Sequence, residues 1–166
     1  MRILVTNDDG IDSIGLHVLA RSLVPFGEVI IGAPDTEYSG ASSSFGPLHL
    51  IRPEMQKAYI DGVEEAWAVN GPPALCVMFA RLGAFGPPFD LVVSGINPGA
   101  NVGRSVYHSG TIGAALTARN GGITGIAVSQ AVDEGGYLGQ GLELMLKNQK
   151  WHSAAEAAAN DLKGES

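Results

Sequence analysis

Apolar residues fall along this chain in short runs that end at polar, turn-forming clusters, and two periods alternate. Ile3, Leu4 and Val5 form a run rich in β-branched residues, the pattern of a strand buried on both faces. The run stops at Asn7-Asp8-Asp9-Gly10, four residues that favour turns and caps. Ile14, Leu16, Val18, Leu19 and Leu23 then recur at helical spacing, with Ser13 as the cap and Pro25 as the stop. Residues 28–33 (EVIIGA) read as a second buried strand. Strand, helix and strand within roughly 30 residues make a βαβ unit, whose crossover is expected to be right-handed.

The alternation continues. Residues 34–47 (PDTEYSGASSSFGP) form a Gly/Ser-rich loop, and 48–52 and 58–60 predict short strands in an antiparallel excursion. Residues 66–69 return as a strand, and a helix runs from Pro72 to a stop at Gly83. A strand over 90–93 precedes the polar segment 94–101, and a helix starts near 109–111 and ends at Asn120 and Gly121. One more strand covers 126–129. Beyond Ala131 the pattern weakens to a short helix at 142–146 and an alanine-rich helix over 151–162. The strongest strands, 3–5, 28–31, 90–93 and 126–128, alternate with helices, which predicts an α/β fold with a doubly wound, mainly parallel sheet. Repeats and linkers are absent from the pattern, so residues 1–166 are expected to form one domain.

Composition narrows the function classes. With 45% hydrophobic and 16% charged residues, the chain has the makings of a globular core that buries roughly 70% of its unfolded surface. The formal charge of −7 and ten scattered basic residues give no patch suited to a polynucleotide backbone. Cys76, the single cysteine, lies in an apolar run and reads as a small core residue, so neither a disulfide nor a thiolate zinc site is expected. Apolar runs are too short to cross a bilayer, and the first strand begins too early to leave room for a signal peptide. A cytoplasmic protein without membrane partners is the expectation.

The candidate chemistry lies where strands end. Asp8 and Asp9 repel each other at neutral pH unless a cation, a shared proton or good solvation relieves them. If the sheet is parallel, segments 7–10, 38–44 and 94–101 share its carboxyl edge, where open α/β sheets bind ligands. Their carboxylates, hydroxyls and amides are hard oxygen donors, suited to magnesium, manganese or calcium. His108-Ser109-Gly110-Thr111 opens a helix and could offer N–H groups and hydroxyls to an anion, although a plain serine cap is the simpler reading. A metal beside an anion cradle is the equipment of phosphoester hydrolysis.

Four segments in order, N-D-D-G after the first strand, Y-S-G-A-S after the second, S-G-I-N-P-G-A-N after a later one and H-S-G-T at a helix start, resemble the SurE (survival protein E) family of metal-dependent 5′/3′-nucleotidases. The resemblance runs from Met1 to about Ser129 and implies a Rossmann-like three-layer fold with one divalent ion, Mg2+ or Mn2+. It implies Asp8, Asp9, Ser39 and Asn97 as metal ligands, with Asp8, Asp9 and Asn97 as the catalytic group. Asn101, Ser109, Gly110 and Thr111 match positions lining a phosphate pocket, with Gly40 and Ala41 nearby. The substrate so implied is a nucleoside monophosphate, hydrolysed by a metal-activated water with Asp8 or Asp9 as proton acceptor. Gly71-Pro72-Pro73-Ala74-Leu75-Cys76 departs from the family's G-T-P-x-D-C. Family chains also extend well past Ser166 with further strands and an exchanged arm, and homodimers or tetramers are expected of the complete chain. A non-catalytic nucleotide-binding or assembly module is therefore the competing reading.

Other residues read as ordinary structure. His17 and His49 are structural or surface, His108 is a solvated loop residue and His152 lies at the surface. Asp35 and Glu37 are turn and surface charges. Tyr38, Phe45 and Tyr107 are the aromatics placed to stack a base.

Overall fold

The computed structural model describes residues 1–46, 48, 50, 52–131 and 151–164. At its centre is strand β1, Arg2–Thr6, whose five residues are all buried. Alternate side chains leave opposite faces. Ile3 and Val5 enter one core with Leu16, Leu19 and Leu23. Leu4 enters a second core with Val77, Ala80, Ala114 and Ala118. Helices α1 (Ile14–Leu23) and α4 (Trp151–Lys163) cover the first face, and α2 (Pro73–Arg81) and α3 (Gly110–Asn120) the second. The architecture is the expected three-layer α/β/α sandwich. Leu4 is fully buried, so Leu4→Ala would cost on the order of 2–5 kcal/mol.

The remaining strands are β2 (Glu28–Pro34), β3 (Met55–Ala58), β4 (Glu65–Val69), β5 (Leu91–Pro98) and β6 (Thr124–Gln130), in spatial order β3-β4-β2-β1-β5-β6. Every pairing is parallel except β3 with β4. Chain order runs outward from β1 through β2 to β4, then crosses to β5 on the other side of β1. The carboxyl ends of β1 and β5 therefore flank the topological switch point, the ligand position of open α/β sheets.

Two expectations about elements require correction, the excursion strands and the end of β5. The strands expected over 48–52 and 58–60 are replaced by the single strand β3, which fulfils the antiparallel excursion in an earlier register. Leu48 and Leu50 lie in turns, and His49 is outside the described residues. β5 does not stop at Val93: past an irregularity between Ser94 and Asn97 it pairs Asn97 with Ser129 and Pro98 with Gln130. A Gly-Ile-Asn-Pro run reads as a turn in sequence, and only the neighbouring β6 holds it extended. Gly95 has φ +143°, and a Cβ there would collide with the Val128 carbonyl, so this crossing requires glycine. The helix expected at 142–146 lies outside the described residues.

The remaining boundaries follow the sequence signals closely. Ser13 caps α1 by accepting a bond from Leu16 N, and a 3-10 turn at Val24–Phe26 containing Pro25 ends it. Pro73 opens α2, where its missing N–H removes no helical bond. Among the described residues no helix is long and apolar enough to cross a membrane.

Candidate active site

The loop after β1 is fixed from within. The buried Asn7 amide donates to Gly10 O and Ser13 Oγ, each at 3.0 Å, and its oxygen accepts from Gly10 N at 3.2 Å. Gly10 takes φ +100°, which an L side chain rarely adopts. This lock aims the two following carboxylates. Sequence reading treated Asn7 only as a turn former, yet an Asn three residues before a glycine is a legible turn signal.

Asp8 and Asp9 receive opposite environments. Asp8 is 3% exposed, and both its oxygens are engaged. Oδ2 accepts from Gly110 N at 3.1 Å and Oδ1 from Thr111 Oγ1 at 2.6 Å, so the carboxylate sits against the N-terminus of α3. The same hydroxyl lies 3.5 Å from Asn97 Oδ1, which joins β1, β5 and α3 at one point. The fit allows no side chain at position 110, because a Cβ there would lie 2.8 Å from Asp8 Cβ. Asp9, in contrast, has a buried Oδ2 with no hydrogen-bond partner among the described residues. Its pKa is pushed up to about 7, chiefly by burial and then by the charges of Asp8 and Glu37. A half-neutral, unpartnered carboxylate beside a second carboxylate is a demand for positive charge.

Asp9 opens onto a cavity of about 540 Å3. Ser39, Asn97, Glu37, Asp12 and Ser13 supply further oxygen atoms to its wall, while Ile14, Gly15, Pro98 and Trp151 supply apolar surface. No Lys, Arg or His stands among the described residues that line it. Ser39 is exposed and donates from Oγ to Glu37 Oε1 at 2.8 Å, leaving its lone pairs available. The Asn97 amide donates to Gly99 O at 2.8 Å, which leaves Oδ1 facing Thr111. Among the described residues no three His, Cys, Asp or Glu side chains are grouped to hold a metal. The donor set is instead two carboxylates with a hydroxyl and an amide oxygen. Such a set fits a hard divalent ion that keeps part of its water shell, and the unpartnered Asp9 oxygen is the observation that supports the fit.

The residues expected around phosphate are distributed differently. Ser109 caps α3, accepting from Ile112 N at 3.2 Å, and Gly110 N is used by Asp8. Asn101 donates to Ser129 Oγ at 2.8 Å. Gly40, at φ +84°, has open space where a side chain would stand, and Ala41 bonds through its N–H to Tyr38 O within the same loop. That loop packs on α3: Ser42 N donates to His108 O at 3.3 Å, and a Cβ on Gly113 would collide with the Ser42 carbonyl group. So Asp8, Asn97, Gly110 and Thr111 form one bonded cluster, and Asp9, Ser39 and Asn97 share a cavity wall.

Several assignments change on inspection. Glu37, read as surface charge, lines the cavity, orients Ser39 and acts on Asp9. Tyr38 and Phe45, placed in sequence to stack a base, border a separate cavity of about 130 Å3, and Tyr107 is 76% exposed. The aromatic in the Asp9 cavity is Trp151, about which the alanine-rich pattern of its helix said nothing. His17 proves structural, its Nε2 lying 2.7 Å from Ile11 O.

Comparison with known proteins agrees with this geometry. The family described as Survival protein SurE matches residues 3–164. A protein of Acinetobacter baylyi named 5′-nucleotidase SurE is 48% identical over 131 residues, 79% of this chain and 49% of its own length. A protein of the same name from Methanopyrus kandleri is 47% identical over 132 residues, 80% of this chain and 49% of its own. The crystal structure of the SurE protein from Aquifex aeolicus superposes with a TM-score of 0.76 at 30% identity, covering 99% of this chain and 59% of that one. The chain spans about half the length of the curated relatives it matches.

Proposed function

The chain belongs to the SurE family, and from that premise we propose that it is the core of a divalent-metal-dependent phosphatase acting on nucleoside 5′-monophosphates, and on 3′-monophosphates as well. The observation that carries the reading is the buried Asp9 Oδ2, without a partner among the described residues, opening onto a cavity walled by Ser39 and Asn97. Relatives named 5′-nucleotidase support the substrate class. Asp8, Asp9, Ser39 and Asn97 would hold one Mg2+ or Mn2+ ion, which supplies Lewis-acid polarisation of phosphate and a water of lowered pKa.

The chain's own groups then divide the work. Asp8, tied by Gly110 and Thr111, is the fixed acceptor that holds β1 and α3 in register. Asp9 Oδ2 is the oxygen with capacity to take the proton of the attacking water. As the water oxygen bonds phosphorus, the ester P–O bond breaks, and the nucleoside leaves as an alcohol once it gains a proton. Ser109, Gly110 and Thr111 open α3, whose positive dipole end would favour a phosphate near Asp8, and Asn101 and Gly40 are proposed to border it. The absence of cations among the described residues of the cavity wall supports metal dependence, since a phosphate dianion among Asp9, Asp12 and Glu37 would otherwise be repelled.

Phosphate release from 5′- and 3′-mononucleotides with magnesium or manganese is the test. Turnover that persists in excess EDTA, or undiminished in Asp8→Asn, refutes the proposal. The half-length match to relatives favours one second reading, a nucleotide-binding or assembly module. Calorimetric binding of mononucleotides without hydrolysis at any metal concentration would establish it. Assembly into homodimers or tetramers and a cytoplasmic location are proposed for the complete protein, with sedimentation and cell fractionation as their checks.

A further inference from the structure

We propose that the apolar half of the Asp9 cavity, built from Trp151, Pro98, Ile14 and Gly15, seats the nucleobase, and that Trp151 is a specificity-determining residue. This rests on the phosphatase reading and names the part of the substrate that the reading leaves unplaced.

The cavity, about 540 Å3, is the size of a small-molecule site and far larger than a phosphate with one ion requires. Its lining divides by chemistry. It combines the oxygen donors Asp9, Ser39 and Asn97 with the apolar surface of Ile14, Pro98 and Trp151, so a ligand with one anionic and one aromatic end matches both. The wall is assembled from distant parts of the chain. Trp151 opens α4 and lays its ring on the first turn of α1, where a Cβ on Gly15 would lie only 2.9 Å from Cζ3. Pro98 ends β5, and Ile14, a large apolar side chain, is 47% exposed beside them.

Trp151 itself is 7% exposed, so only a small part of the indole reaches the cavity. An indole edge carries partial positive charge and favours the π-face of a base in a T-shaped contact. Asp12 and Ser13 stand next to this wall, with acceptor and donor atoms for ribose hydroxyls or exocyclic amines. The carboxylates of Asp9, Asp12 and Glu37 oppose any further negative charge, which favours a neutral base as the leaving group's distal part.

The chain has two tryptophans, and Trp67 lies on β4 with its ring 6.3 Å from Phe85, outside this cavity. Trp67→Phe therefore leaves Trp151 as the sole tryptophan, excited selectively at the long-wavelength edge where the four tyrosines do not absorb. Titration of that variant with adenosine or guanosine, without phosphate or metal, is expected to change the emission saturably, while ribose and inorganic phosphate leave it unmoved. Trp151→Ala is expected to lower kcat/KM for AMP about tenfold, through KM, without changing it for ribose 5-phosphate, and Trp151→Phe to restore it. Nucleosides that leave the emission unchanged overturn the proposal. So does a Trp151→Ala loss that is equal for AMP and ribose 5-phosphate. If Trp151→Ala fails to fold, the titration of Trp67→Phe decides. Ribose 5-phosphate hydrolysis separates the two readings: present with silent nucleosides, it leaves the phosphatase standing and removes the base seat, and absent with responsive nucleosides it does the reverse.

Discussion

The two ends of β1 handle buried charge in opposite ways. At the amino end, Arg2 is 9% exposed and each of its three guanidinium nitrogens has a partner. Nε pairs with Glu28 Oε2 at 3.0 Å, Nη2 donates to Phe85 O at 2.6 Å and Nη1 donates to Pro87 O. Its Cζ also lies 4.3 Å from the centre of the Phe89 ring. At the carboxyl end, beginning two residues past Thr6, lies the pair Asp8 and Asp9, and Asp9 keeps one oxygen without a partner among the described residues. A satisfied buried charge rigidifies the fold, whereas an unsatisfied one costs stability and retains affinity for whatever completes it. The contrast assigns structure to one edge of the sheet and chemistry to the other.

The largest effect that bears on this contrast is expected from Asp9→Asn. Its magnesium-dependent kcat/KM on AMP should fall on the order of 100- to 1000-fold, and metal affinity by calorimetry should fall with it. Its thermal stability without metal should hold or rise. Activity near the parent level would remove Asp9 from the site. Arg2→Met is the converse experiment, with an unfolding free energy lower by about 3 kcal/mol in urea, because two carbonyls and Glu28 lose their donor. Its KM for AMP should stay at the parent value; a raised KM with unchanged stability would erase the distinction between the two ends.

Titration sharpens the same comparison. Burial pushes the Asp9 carboxyl up to about 7 in the folded protein, whereas the unfolded chain titrates near the ordinary aspartate value of 3.8. Between those values the folded state binds more protons, so Asp9 makes stability fall as pH rises, and the loss levels off above pH 7. Metal-free unfolding of the parent and of Asp9→Asn, measured at pH 4 and pH 8, should diverge by roughly 2 kcal/mol after discounting partial exposure. Saturating magnesium should shrink the gap by binding the folded parent. Parallel pH profiles would show that burial does not perturb Asp9. The smallest effect is expected at Thr111→Val, which removes the hydroxyl that Asp8 accepts from. About 1–2 kcal/mol of stability should be lost, and Thr111→Ser should recover most of it.

Much of the fold was written in local pattern. Ile3, Leu4 and Val5 announced a two-sided strand, Ser13 and Ser109 announced helix starts, and both serines accept the N-terminal bonds expected of caps. Asp8 and Asp9 stood out as adjacent carboxylates whose repulsion needs relief, and the resemblance to the SurE motifs, not the pattern alone, set them above a simple capped turn. Asn97 was legible as a residue, although its place in an extended β5 was not, because β6 supplies the partner that holds it there. Glu37 stayed hidden for a related reason. In sequence it is one charge in a polar loop, and its action on Ser39 and Asp9 depends on where β2 releases that loop.

The sequence by itself determined the alternation of strands and helices, the βαβ start, the acidic charge balance and the concentration of oxygen donors at strand ends. These follow from periodicity, propensity and charge, which act between near neighbours. Tertiary structure alone decided that Asp8 would be saturated by α3 and Asp9 left wanting, although the two residues are chemically identical and adjacent. It also decided that Trp151 would face the site from across the chain. Such outcomes depend on which helix terminus and which ring arrive at a given point, and that is fixed by the packing of layers, not by local sequence.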